Sequence, residues 1–171
     1  LWGYNDLNSD WRDYKAVRLH EQSIGASYQN NALLIEWSNA QSLAEPLVCL
    51  GDGHDGVWNI VVEIGETEQR MEILDWYHLM ENLAKVESSV DFLDDVTELL
   101  WESRVRTAIG RLQTCDDYRA DTFAAYLRKH QHRFVNYEYC QLEGLSIGSG
   151  AIESGIKQIA ARIKLTGAQW K

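Results

Sequence analysis

The chain has 171 residues, a length that favours one domain with a substantial core, since a domain of about 150 residues buries about 70% of its unfolded surface. Hydrophobic residues make up 45% and charged residues 25%, which excludes a disordered or fibrous chain. No apolar run approaches the ~18–20 residues of a membrane-spanning helix, and the net charge of -10 argues against an ordinary nucleic-acid module, whose footprint is basic.

Residues 11–20 (WRDYKAVRLH) read as a strand with imperfect alternation, and residues 22–28 (QSIGASY) as a second strand close enough to form a hairpin. Asn30 or Asn31 can cap a helix over 32–43, with Leu33, Leu34, Trp37, Ala40 and Leu43 at helical spacing. Glu45-Pro46 ends it, because the residue before proline avoids the helical region. Residues 47–51 (LVCLG) are almost wholly apolar, the pattern of a strand buried on both faces. They run into the polar turn Gly51-Asp52-Gly53-His54-Asp55-Gly56. A short helix is expected over 57–64, a strand over 70–74 ending at Asp75, and a helix over 76–86 bearing Tyr77, Leu79, Met80 and Leu83.

From about 88 to 136 the periodicity is helical throughout. Phe92, Val96, Leu99 and Leu100 suit one helix; Val105, Ile109 and Leu112 a second; Phe123, Tyr126 and Leu127 a third. This block should pack as a separate small bundle, with its acidic start (Glu87, Asp91, Asp94, Asp95, Glu98) facing solvent. Residues 137–150 read as a loop ending in Gly148-Ser149-Gly150, and 151–165 as a helix striped with Ile152, Ile156, Ile159 and Ile163. The order of elements defines an α/β protein with an all-helical insertion.

Charge is unevenly distributed. Residues 86–102 carry acids and no base, whereas 154–171 carry Lys157, Arg162, Lys164 and Lys171 and no acid, so an acidic total can hide a basic face. Cys49, Cys115 and Cys140 are too few and too widely spaced for a disulfide framework or a zinc site, and read as free thiols of a reducing cytoplasm.

Asp52 is the strongest chemical candidate. It stands just past the C-terminal end of an apolar strand, where open α/β sheets place their ligands, and glycines flank it. Asp and Gly also dominate ordinary turns, so a turn role stands beside the functional one. Asp55 suits turn or cap chemistry. Asp75 and His78 follow the next strand, three residues apart; a helix cap and a structural hydrogen bond are the alternatives for them. Glu153 lies in the first turn of the last helix, where the dipole favours a carboxylate and Lys157 can pair with it. Two such carboxylates suggest a site for a hard divalent cation, of the kind that cuts or joins phosphodiesters. No GxxxxGK[ST], GxSxG or HExxH motif is present.

Four segments in series, WRDYKAV (11–17), LGDG…WN (50–59), ILDWYHLMENL (73–83) and SGAIES..K...ARIKLTGAQW (149–170), resemble DDE-type transposases of bacterial insertion sequences. The resemblance covers almost the whole chain. It implies an RNase H-like mixed sheet with an all-helical insertion, divided into 1–87 and 137–171 for the core and 88–136 for the insertion. It implies a metal-dependent DNA transposase that cleaves and joins phosphodiesters with Mg2+ or Mn2+. Asp52 matches the second metal-binding acid and Glu153 the third, and their carboxylates are expected to face one another across a polar cleft. Asp75 and His78 match a DxxH pattern, which makes His78 a catalytic-site candidate. Lys157, Arg162, Lys164 and Trp170 match a stretch implied to contact DNA. DNA is the implied partner, with homo-oligomerisation in the full-length protein.

The chain departs from the family pattern at its start. The first catalytic aspartate is expected on a strand before Trp11, upstream of Leu1, so the first strand is missing and the chain reads as a partial catalytic domain. Asp6, Asp10 and Asp13 lie too near the first visible strand to be assigned that role. A truncated non-catalytic transposase remnant and an acidic α/β interaction domain remain as alternatives.

Overall fold

The computed structural model describes residues 14–19 and 23–28, as backbone strands, and residues 30–148. Strands β1 (Tyr14–Leu19) and β2 (Ser23–Tyr28) form the expected antiparallel hairpin, in register Tyr14 opposite Tyr28 and Leu19 opposite Ser23. Helix α1 (Asn31–Asn39) packs on both hairpin strands. Asn30 caps it, its side chain accepting the Leu33 N–H at 3.1 Å, which satisfies one of the orphan donors of the first turn.

Helix α1 stops short of the expected residue 43, and its buried face is narrower than the sequence suggested. Leu34 and Ser38 are buried, whereas Leu33 and Ala40 are exposed. The early stop coincides with a long-range contact. The Asn39 amide donates to Glu63 O at 2.9 Å and accepts the Gly65 N–H at 2.8 Å. The helix end is thereby tied to the segment that follows α2 by the Asn39 side chain, and the Gln41 side-chain amide donates to the Trp37 carbonyl of the last turn at 3.1 Å.

Strand β3 (Leu47–Gly51), helix α2 (Asp55–Val61) and strand β4 (Arg70–Leu74) form a strand–helix–strand unit with the two strands parallel. A parallel pair requires such a crossover. Leu47 and Gly51 are buried, but Val48, Cys49 and Leu50 are only half-buried, so β3 is not the doubly covered strand its apolar run implied. Among the described residues the strands form two separate pairs, β1–β2 and β3–β4, rather than one mixed sheet.

Helix α3 (Trp76–Leu83) follows β4 directly. Then come α4 (Val90–Trp101), α5 (Val105–Leu112), α6 (Tyr118–Lys129), a 3-10 turn over Gln131–Arg133 and α7 (Tyr137–Leu142). No strand interrupts 88–136. Glu87, Asp91, Asp94, Asp95 and Glu98 are exposed, and Phe92, Val96, Ile109 and Phe123 are buried, as the periodicity required, whereas Leu99, expected to be buried with them, is only half-buried. Two expectations are corrected. Residues 137–142 are helical where a loop was expected, with Asn136 capping α7 through the Tyr139 N–H. And the helical block is not a bundle with its own core: Phe92, Val96, Leu100, Leu112 and Leu127 belong to one cluster with Trp58, Ile73, Leu74 and Leu79. A smaller cluster of Leu34, Leu47, Ile60 and Ile64 joins α1 to the β3 side of the unit. The three cysteines are free. Among the described residues no helix is long and apolar enough to cross a membrane.

Candidate active site at the strand ends

The parallel pair is in register with Gly51 beside Leu74. Asp52 and Asp75 are the next residues on each strand and therefore leave the sheet at the same edge. The Asp75 N–H donates to Gly51 O at 2.9 Å, carrying the ladder one step past the strands.

Asp52 is half-buried. Its Oδ1 accepts the His54 N–H at 2.9 Å, the Asx turn that short polar residues favour. From the other side the Tyr126 hydroxyl of α6 donates to the Asp52 carbonyl oxygen at 2.9 Å. Gly53 has φ +90°, and a Cβ there would lie 2.7 Å from the Tyr126 ring. Glycine is therefore required twice, by the left-handed backbone and by the aromatic ring against it. His54 caps α2, its Nδ1 accepting the Gly56 N–H at 3.1 Å. Asp55 stands in the first turn of α2, exposed, 2.7 Å from Lys129 Nζ. The hydrogen bond and charge of Lys129 hold its carboxyl below the usual range.

Asp75 is 2% exposed and caps α3, its Oδ1 accepting the His78 N–H at 3.1 Å. The DxxH pair thus meets through a backbone cap. The His78 imidazole lies half-exposed on the α3 surface, its Nδ1 3.5 Å from Glu81 Oε2. Gly148 closes the edge: the Trp76 N–H donates to Ile147 O at 2.9 Å, and a Cβ on Gly148 would overlap the Tyr77 ring and sit 3.5 Å from Asp75 Oδ1.

Tyr126 has no role legible in the sequence beyond its place in a helical stripe. It is half-buried against Asp52, its ring stacked on Phe123 (centroids 6.1 Å) and tilted on His130 (4.9 Å). Burial, then the Asp52 and Asp75 charges, push its phenol well above the usual range, so it remains a neutral donor. Behind it His130 is 1% exposed. Arg133 Nη1 stands 3.1 Å from His130 Nδ1. Since a guanidinium can only donate, that nitrogen is the acceptor and His130 is neutral. Burial, then the neighbouring Arg133 charge, lower its pKa. Arg133 is itself held by Glu72 of β4 at 2.8 Å and lies over the Trp58 ring at 4.1 Å.

Glu153, Lys157, Arg162, Lys164 and Trp170 lie outside the described residues, as does the expected meeting of the Asp52 and Glu153 carboxylates. Among the described residues no group of three or more His, Cys, Asp or Glu side chains is placed to hold a metal ion. Asp52 is the residue of this edge best suited to contribute to one: a carboxylate offers lone pairs on both oxygens, and hard cations take carboxylate oxygens alongside water and phosphate. Helices and a parallel strand pair together make this an α/β protein. No protein-family model, curated protein or solved structure matches the chain.

Proposed function

We propose that this chain belongs to the catalytic domain of a metal-dependent DNA transposase, with an RNase H-like core, that cleaves and joins phosphodiesters. The observation that carries the reading is the seat of Asp52. A half-buried carboxylate is pinned at the C-terminal end of a parallel strand by the His54 amide on its side chain and the Tyr126 hydroxyl on its carbonyl. That is where open α/β sheets assemble their sites.

Two further features support it. Gly148, five positions before Glu153 in the sequence, lies against Asp75 at this same edge. The described strands make one antiparallel and one parallel pair, the two kinds of pairing that a mixed sheet contains.

In this reading Asp52 and Glu153 hold Mg2+ or Mn2+. The ion, when bound, activates the attacking oxygen and offsets charge on the transferring phosphate. Water attacks the phosphorus at the element's end and the 3′-oxygen leaves with a proton; that 3′-hydroxyl then attacks a phosphodiester of target DNA, displacing a new 3′-hydroxyl. Lys157, Arg162, Lys164 and Trp170 contact DNA. His78, turned towards Glu81, orients a neighbour or flanking DNA rather than taking the proton.

The test is strand cleavage by the protein as encoded, on a duplex carrying an element end. Glu153→Gln abolishes cleavage while DNA binding stays within about twofold, because binding rests on phosphate contacts from basic residues. His78→Ala keeps measurable activity. Full cleavage by Glu153→Gln would remove the third acid from the account.

A further inference from the structure

We propose that Tyr126, carried by the helical block, is a positioning residue for Asp52: its hydroxyl holds the backbone of the Asp52 turn so that the carboxylate is presented at the strand edge in one orientation. The inference rests on the reading of Asp52 as a metal-binding acid.

Three observations carry it. The Tyr126 hydroxyl donates to Asp52 O at 2.9 Å, across 74 residues of chain. The ring fills the space where a Cβ on Gly53 would stand, and the φ of +90° there would strain any side chain. And the ring is packed on two neighbours, stacked on Phe123 and tilted on His130. His130 in turn is fixed by Arg133, and Arg133 by Glu72. A continuous series of contacts therefore runs from β4, through the helical block, back to the residue that follows β3. A turn rich in glycine is intrinsically mobile, and a metal-binding carboxylate loses affinity when its supporting partner is removed. The hydroxyl supplies that support without competing for the cation, since a phenol is neutral at working pH and its oxygen is engaged with the backbone rather than with the carboxylate.

The experiment compares Tyr126→Phe, which keeps the ring, with Leu112→Ala on α5, which loosens the same core but leaves the hydroxyl and the ring contacts of Tyr126 in place. Three quantities are read on the protein as encoded: the Mn2+ concentration needed for half-maximal cleavage, KM for DNA, and amide hydrogen exchange at His54. For Tyr126→Phe the required Mn2+ rises about 3–10-fold, the span of one lost hydrogen bond. Saturating Mn2+ restores the rate, KM for DNA is unchanged, and His54 exchanges several-fold faster. For Leu112→Ala the melting temperature falls while the Mn2+ requirement stays put. Wild-type Mn2+ dependence together with wild-type His54 exchange in Tyr126→Phe overturns the proposal, as does an equal shift in Leu112→Ala. Asp52→Asn separates the two layers. If it abolishes cleavage while Tyr126→Phe is silent, the positioning role is wrong and the function stands. If Asp52→Asn cleaves normally, the functional reading is wrong, and with it the positioning role given to Tyr126.

Discussion

His130 shows how one side chain can set a pH limit on the fold. It is buried, neutral and accepting from Arg133, with Lys129 and His132 adding positive charge nearby and Asp55 opposing them. Its folded pKa lies below the unfolded value of about 6.5, so the unfolded chain binds the extra proton first. Stability from this site is complete above that value and is lost as pH falls from about 6.5 through the folded pKa. Melting temperatures between pH 7.5 and 5 should therefore fall more steeply for the wild type than for His130→Gln, and parallel slopes would contradict this assignment. The residues of this site differ in how much the sequence reveals. Asp52 is legible, because an apolar run that breaks into Asp-Gly marks a strand end. Tyr126 is not: a tyrosine at helical spacing looks like any core aromatic, and its partner lies 74 residues away. His130, Arg133 and Glu72 are hidden for the same reason.

At the level of elements, Asp75 is both the N-cap of α3 and a charge at the strand edge, and the two roles can be separated. Asparagine caps about as well as aspartate, whereas alanine loses roughly 0.5–2 kcal/mol. Urea unfolding should show Asp75→Ala destabilised by about that much and Asp75→Asn by clearly less; equal losses would mean that the charge, not the cap, is what the fold uses. Gly53→Ala belongs to the same scale. Its φ of +90° and the Tyr126 ring oppose any side chain, so a loss of about 1–3 kcal/mol is expected, and an unchanged denaturation midpoint would contradict the tight seat described for this turn. Local signals located most elements well: Asn30 at the start of α1, the β3 run, Asp75 at the start of α3. Helix α7 carried a comparable signal, Asn136 before it and Gly144 (φ +71°) after it, but six residues are too few for periodicity to stand out. The stop of α1 coincides with Asn39 meeting residues 63 and 65, which no local pattern contains.

Across the whole molecule, periodicity identified the helices of 88–136 and their buried faces, but not what those faces meet. They meet β4 and α3: Leu100 and Leu127, both 0% exposed, share one core with Ile73 and Leu74. Leu127→Ala should cost about 2–5 kcal/mol, and hydrogen exchange should show β4 and α6 losing protection together in a single unfolding transition. Two separate transitions would instead define the helical block as an independent unit. The same packing lets the block support the strand edge through Tyr126, which ties its helices to the proposed chemistry. The most direct measurement of that chemistry is Mg2+-dependent strand cleavage by the protein as encoded, wild type against Asp52→Asn. The metal contribution to such a transition state is several kcal/mol, so the substitution should slow cleavage by roughly a hundredfold or more with DNA binding retained. Cleavage by Asp52→Asn at near the wild-type rate would contradict the account.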